Sequence, residues 1–201
     1  MLKETTDSIK NGIFIFQEQS FLEKQKIPSR ENIRNFIESS VNKHNAKAPF
    51  VDVACGYRTS KPEIDRIPID KVSDYVAFDL FNLTDNVEEV DAIQNLQADA
   101  QNIPLSTDYA GTVICLEALE HISDAGKSVE EMRRILRPEG LLLLSIPGID
   151  VPKHEKYYQK DYRRYTKNQI SSLLVNNGFK LIDYEEKYFE SKHINTLIVA
   201  K

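Results

Sequence analysis

A chain of 201 residues, 41% hydrophobic and 28% charged, holds enough apolar material for one well-buried domain, is short for two, and is too rich in core residues to be disordered. Its formal net charge of -5 argues against a nucleic-acid surface, which would ordinarily be basic, although a local basic patch remains compatible with it. No apolar run approaches the roughly 20 residues that span a bilayer, and the opening MLKETTDSIK lacks the apolar core of a signal peptide, so the expected location is cytoplasmic.

In chain order, residues 1 to 28 carry an apolar cluster (Ile13, Phe14, Ile15, Phe16, Phe21, Leu22) expected to dock as an arm or short helix. From Ser29, a candidate N-cap, the positions Ile33, Phe36, Ile37 and Val41 follow helical spacing to about His44. Strand-like and helix-like runs then alternate. The pattern predicts a strand over Phe50–Ala54, a poor helix around Pro62–Arg66, a strand over Tyr75–Phe78, an acidic helix near Asn86–Ile93 and a short strand over Leu96–Ala98. A strand over Thr112–Leu116, a helix over Asp124–Leu136, a strand over Leu141–Ser145 and a helix over Lys167–Asn176 follow. Two last strands, near Lys180–Tyr188 and Ile194–Val199, are joined by the short link Phe189–His193, which forces them antiparallel. The expected architecture is α/β: a Rossmann-like, doubly wound, seven-stranded sheet, mainly parallel with an antiparallel C-terminal strand.

Local chemistry marks several boundaries. Thr166 and Gln169 have the spacing of a capping box, and Gly178 stands where a helix end needs a left-handed residue. In RRILRPEGLLLLS, basic residues and Pro138 are expected to stop a helix and Gly140 to turn the chain into a fully apolar, central strand. Cys55 and Cys115 are too few for a disulfide framework and wrongly spaced for a metal site, so they read as buried thiols.

Ligands of open α/β sheets bind beyond the carboxyl ends of the strands, where strand order reverses. That places a site among Ala54 to Arg58, Asp79 to Phe81, Asp99 to Gln101, Leu116 to His121, and Pro147 onward. Gly56 lets backbone approach a ligand, and the small Ala54 does part of the same work. Asp79 ends an apolar strand and suits the two hydroxyls of a ribose; its alternative is a helix N-cap or turn residue.

DVACG, YVAFD, ADAQNIPLS, EALEHISD and RRILRPEGLLLLSIPG, in this order, resemble the motifs of class I methyltransferases that use S-adenosylmethionine. The resemblance covers about Phe50 to Lys201. YRTSKP after Cys55-Gly56, and HEKYYQKDYRRYT after the fifth strand, look like a subgroup with a Cys-Gly-x-x-Pro-Tyr turn and a His...Asp-Tyr-x-Arg-Phe/Tyr-Thr segment, many members of which are associated with glycan or cell-surface assembly. It implies a single methyltransferase domain over 1–201, with an N-terminal arm and helix over 1–45 and a cofactor-binding core over 50–201. Three positions depart from the pattern. Ala54 replaces a motif glycine and is expected to narrow the cofactor pocket by a methyl, Arg58 stands where a glycine is missing, and Gly111 replaces an aspartate and is expected to loosen a turn.

The resemblance also implies roles. Asp52 and the backbone of Ala54, Cys55 and Gly56 would hold the methionine portion of S-adenosylmethionine, Asp79 the ribose, Leu80 or Phe81 an adenine face, and Asp99 with the Ala100 amide the adenine edge. Carbonyls near Cys115 and Leu116 would receive the methionine ammonium. Methyl transfer is an in-line displacement helped by positioning, but an acceptor hydroxyl must also lose a proton, and His121, His154 and Asp161 are the candidate bases. His121 reads equally as a helix-start residue packed beside the sheet.

His154 and Asp161 occur with Tyr157, Tyr158, Tyr162, Arg164 and Tyr165 directly after the fifth strand. Tyrosines there suit stacking on sugar rings. Lys153, Lys156, Lys160, Arg163 and Arg164 suit a carboxylate or phosphate, or else form a lid clasped by ion pairs. The acceptor is therefore expected to be a small molecule or glycan methylated at oxygen, with no metal. A non-catalytic binding protein of the same fold is the alternative; a nicotinamide-dependent oxidoreductase is disfavoured by the absence of Gly-x-Gly-x-x-Gly.

Overall fold

The computed structural model describes residues 28–56, 74–80, 93–153 and 160–201. Helix α1 runs over 28–43. The strands are β1 (Phe50–Val53), β2 (Tyr75–Asp79), β3 (Ile93–Gln97), β4 (Ala110–Leu116), β5 (Leu136–Pro147), β6 (Leu181–Phe189) and β7 (Lys192–Ala200). Helix α2 (Ala125–Ile135) connects β4 to β5, and α3 (Lys167–Asn176) lies between β5 and β6.

These strands form one sheet in the order β3-β2-β1-β4-β5-β7-β6. Strands β1 to β5 pair in parallel, while β7 runs antiparallel to both β5 and β6. The order reverses between β1 and β4, as a doubly wound sheet requires. Alternation along the strands sends side chains to two cores. Phe50, Ile114, Leu141 and Leu143 pack with Ile33, Phe36, Ile37 and Val41 of α1. Val51, Val113, Leu142 and Leu144 pack on the other face with Val129 and Met132 of α2 and Ile170 and Leu174 of α3. Helices on both faces explain why the central strands are apolar on both sides.

The Thr166 capping box forms with both its bonds, and Gly178 takes φ 81 beyond the end of α3. The region after α2 departs from its local signals. The helix ends at Ile135 and β5 starts at once, because Leu136 pairs with Ala110 before the ladder shifts to Leu141 with Thr112. The turn expected at Gly140 falls instead at Glu139, which is left-handed at φ 62. Gly140 instead allows close approach: a Cβ there would lie 2.8 Å from Leu136 Cγ.

Strand β3 begins at Ile93, where a helix was expected to end, because Ile93 pairs with Tyr75. At the other edge, Glu190 (φ 49) and Ser191 (φ 64) make the two-residue left-handed turn that suits twisted antiparallel strands, so His193 belongs to β7 rather than to the link. Ser29 lies inside α1, and its hydroxyl accepts from Asn195 rather than being left to cap.

Gly111 does not loosen a turn: a Cβ would lie 2.5 Å from the Lys47 carbonyl oxygen, so glycine permits the approach of the chain entering β1. The apolar cluster at 13–22, the poor helix at 62–66 and the acidic helix at 86–92 lie outside the described residues. Among the described residues no helix is long and apolar enough to cross a membrane.

Candidate functional site

Beyond β1 the chain turns sharply through two left-handed residues, Ala54 at φ 54 and Gly56 at φ 66. Two bonds fasten this turn to β2. The Cys55 amide donates to the Phe78 carbonyl at 3.1 Å, and the Gly56 amide donates to Asp79 Oδ2 at 2.9 Å. Below the turn, Asp52 is 1% exposed and accepts from the Tyr75 hydroxyl at 2.7 Å. Asp52 therefore sits in the foundation of the turn, and Asp79 at its rim.

On the far side of β2, Leu80 is exposed, and its carbonyl accepts from the Gln97 side chain. Asp99 follows β3 and organises its own turn: Oδ1 accepts from the Gln101 amide at 2.8 Å, with Ala100 buried between. The Gln101 side chain then reaches Ser123 and the Asp124 amide at the start of α2. The ends of β2, β3 and β4 are thus tied together.

Cys115 and Leu116 finish β4, and Cys115 is fully buried. Its thiol, like that of Cys55, is pushed far up by burial first and by neighbouring carboxylates second, so both are inert at neutral pH. Glu117 follows in a left-handed conformation, φ 48, its amide donating to the Ser145 carbonyl at 3.0 Å. The Asn195 side chain on β7 donates to Glu117 Oε1 at 3.3 Å and to Ser29 Oγ of α1 at 2.8 Å. Burial raises the Glu117 carboxyl above the usual range, against the hydrogen bonds from Ser145 and Asn195.

The next turn, Leu119–His121, is a single 3-10 turn that buries Glu120 and leaves His121 partly open. His121 Nδ1 lies 2.9 Å from Asp161 Oδ1 and 3.2 Å from the Lys160 carbonyl, while Nε2 faces Glu120 Oε1 at 3.6 Å. Desolvation alone would lower the imidazole pKa; Asp161, Glu120 and the Lys160 carbonyl outweigh it and raise it. Glu120 is itself raised, first by burial and then by the charge of Glu117.

Asp161 has a fully buried side chain held by Arg164 Nη2 at 2.6 Å. Arg164 is 5% exposed at its side chain and also donates to the Val151 and Pro152 carbonyls, at 3.2 and 3.0 Å. The segment after β5 is clasped onto the β4 end by these bonds, by the Tyr162 amide donating to the Glu120 carbonyl at 2.8 Å, and by Arg163 donating to the Ser123 carbonyl.

The structure therefore brings Ala54, Cys55, Gly56, Asp79 and Leu80 together at one turn, with Asp99 and Ala100 beside Leu80 through the Gln97 bond. His121, Asp161 and Arg164 form a second group at the end of β4. Asp52 and Cys115 are buried within the strands, and Phe81, Arg58 and His154 lie outside the described residues. Of the basic residues near the segment, Lys153 and Lys160 are exposed, whereas Arg163 and Arg164 are engaged with backbone and Asp161. Glu117 and Glu120 were missed in the sequence. Their only signal was two acidic residues directly after an apolar strand, in EALEH.

Residues 51–144 match the family described as Methyltransferase domain. Over 94 residues the chain is 29% identical to a protein of Mycobacterium tuberculosis (strain H37Rv) named as a probable S-adenosylmethionine-dependent methyltransferase, covering 43% of this chain and 33% of that one. Over 94 residues it is 32% identical to the malonyl-[acyl-carrier protein] O-methyltransferase of Nitrosospira multiformis, covering 43% of this chain and 31% of that one. The match thus spans about a third of the length of these curated relatives. The fold is also that of the Burkholderia thailandensis 1,6-didemethyltoxoflavin-N1-methyltransferase, solved with S-adenosylhomocysteine and 1,6-didemethyltoxoflavin. That likeness has a TM-score of 0.65 at 14% identity and covers 98% of this chain and 88% of that one. Residues 51–144 are thus similar in sequence to methyltransferase domains, including ones named as S-adenosylmethionine-dependent, and the chain has the Rossmann-like fold of a solved methyltransferase.

Proposed function

We propose that the methyltransferase domain at residues 51–144 makes this chain an enzyme that methylates a hydroxyl group of a small-molecule or glycan-type acceptor. The observation that carries the reading is the turn Ala54–Gly56 bonded to Asp79 at the point where strand order reverses. The donor set fits S-adenosylmethionine. Among the described residues, the strand ends at 54–56, 79–80, 99–101 and 116–121 present backbone amides and the carboxyl groups of Asp79, Asp99, Glu117 and Glu120, with no lysine or arginine in those four stretches. Such a surround suits a ligand carrying a sulfonium and an ammonium and disfavours the pyrophosphate of a dinucleotide.

When bound, the cofactor supplies an activated methyl group. Asp79 would hold the ribose hydroxyls, the turn backbone the methionine tail, Leu80 an adenine face, and Asp99 with the Ala100 amide the adenine edge. The Cys115 and Leu116 carbonyls would lie toward the ammonium. Asp52, paired to Tyr75, would keep the turn in shape.

His121 would meet the acceptor, held by Asp161 through Nδ1 with Nε2 beside Glu120. Asp161 and Arg164 are then positioning residues, and His154 joins the acceptor side on sequence grounds. The exposed Tyr162 and Lys160 suit a sugar ring and an acidic substituent.

The test is calorimetry with S-adenosylhomocysteine and with NAD, followed by a methyl-transfer screen of sugars, glycan precursors and small acids. Binding of S-adenosylhomocysteine but not NAD is expected, with turnover on an acceptor hydroxyl. Absence of S-adenosylhomocysteine binding overturns the cofactor; binding with no turnover on any acceptor favours a non-catalytic binding protein.

A further inference from the structure

We propose that Glu120 and His121 bind a divalent cation at the carboxyl end of β4, with Asp161 orienting the imidazole from behind. The cation would hold the acceptor's oxygen, so this use rests on the proposed methyl transfer, whereas the binding itself does not.

The imidazole already has the arrangement of a metal ligand. Nδ1 is 2.9 Å from a buried carboxylate and 3.2 Å from a carbonyl, which fixes its hydrogen there and turns the Nε2 lone pair toward Glu120. Metal-bound histidines characteristically donate their other N–H to a carboxylate or carbonyl, and Asp161 does this while its second oxygen is locked by Arg164 at 2.6 Å.

Glu120 gives a separate indication. Its side chain is 2% exposed, and Oε2 has no hydrogen-bond partner among the described residues. A buried carboxyl oxygen without a partner is costly, and a bound cation answers that cost as a proton does.

The distances agree. Ligand atoms of Glu120, His121 and Asp161 all lie within 4.8 Å of one another, and Nε2 to Oε1 is 3.6 Å. Two ligands on metal bonds of about 2.1 Å are separated by roughly 3 to 3.5 Å, so a small closure of the pair suffices. Among the described residues Glu117, Glu120, Asp161, His121 and Arg164 lie close together, with Arg164 bonded to Asp161.

A mixed imidazole and carboxylate set suits Mn2+ or Zn2+ better than an all-oxygen ion. The His121 side chain is 32% exposed, which leaves room for water or an acceptor oxygen to complete the shell.

The experiment titrates the full chain with Mn2+, free ion being followed by electron paramagnetic resonance, and repeats it with Zn2+ by calorimetry. One ion per chain is expected, with histidine nitrogen coupling in the Mn2+ spin echo. Affinity should fall at least about tenfold in Glu120→Gln and in His121→Asn, and stay unchanged in Glu130→Gln on the exposed face of α2. Circular dichroism checks each variant's fold; should both site variants unfold, the nitrogen coupling of the native chain decides. No stoichiometric ion up to about 1 mM, bound Mn2+ without nitrogen coupling, or undiminished binding in folded Glu120→Gln and His121→Asn overturns the site and leaves an imidazolium–carboxylate pair. Metal titration reads no turnover, so its failure is distinct from failure of the methyltransferase reading.

Discussion

The Gly56 amide and the Asp79 carboxylate, 2.9 Å apart, make the turn after β1 and the end of β2 a single unit. A ligand held by Asp79 therefore meets a turn whose backbone is already set. Pre-set groups lower the ordering cost of binding, which makes this pair the place where cofactor affinity is most exposed to mutation.

Asp79→Ala should remove two charge-assisted bonds to a ribose and release the Gly56 amide. The expected loss in S-adenosylhomocysteine affinity is on the order of 2 to 4 kcal/mol, read by calorimetry. Asp79→Asn should lose less, since one oxygen can still accept from Gly56. Unchanged affinity in the alanine variant would place the cofactor elsewhere.

Ala54 carries a side chain at φ 54, where a left-handed backbone costs an L-residue roughly 1 to 2 kcal/mol. Ala54→Gly removes that strain but gives back about 0.4 to 1 kcal/mol of unfolded-state entropy. The net expectation is stabilisation by about 0.5 to 1 kcal/mol, visible as a higher urea midpoint at unchanged slope. A lower midpoint would show that the Ala54 methyl makes contacts worth more than its strain.

Gly111→Ala should do the reverse. Its Cβ would stand 2.5 Å from the Lys47 oxygen and 2.6 Å from that of Ala48, both backbone atoms that cannot swing aside. A loss of about 1 to 3 kcal/mol is expected in the same assay, and a neutral result would mean that the chain at 47–48 yields readily.

Gly111 also shows where sequence reading stops. FVDVA, LLLLS and the Thr166–Gln169 box announce themselves because the information lies within a few residues. What Gly111 must accommodate is a carbonyl 64 residues earlier in the chain, by the difference between 111 and 47. The helix stop was legible in the basic residues and Pro138, but the start of β5 was placed late, at Leu141, because the pairing of Leu136 with Ala110 lies outside the local sequence. The rim of the site was legible as small and acidic residues at strand ends. Glu117 and Glu120 were not, because their burial is made by Ser145, Asn195 and the segment around Asp161.

A pH-dependent clasp joins α1 to β6. Asp183 lies 2.8 Å from Lys43 and also meets His44, and its carboxyl is held below the usual range, first by Lys43 and then by His44. A depressed acid stabilises the fold above its unfolded pKa, and that contribution is lost as pH falls through the folded value. With Asp183 40% exposed, solvent screening limits it to about 0.5 to 1 kcal/mol. Asp183→Asn should thus lower Tm slightly at neutral pH and have no effect once the solution is more acidic than the carboxyl's own range. An equal deficit at both extremes would mean the loss comes from packing.

Arg164 tests what the segment after β5 is. It is nearly buried and neutralises a fully buried Asp161 while bonding two carbonyls at the entry to the segment, Val151 and Pro152. Arg164→Met keeps much of the side-chain volume but takes the guanidinium from Asp161, and removing one partner of a buried pair typically costs about 3 to 5 kcal/mol. The loss should be read first as a lower unfolding midpoint. At temperatures where the variant stays folded, S-adenosylhomocysteine affinity should change little, because the Ala54–Gly56 turn and Asp79 are fastened independently. Methyl transfer should fall, since Asp161 would no longer hold His121 in place. A loss of turnover with no loss of stability would mean that Arg164 reaches the acceptor directly, and the positioning role assigned to it would be wrong.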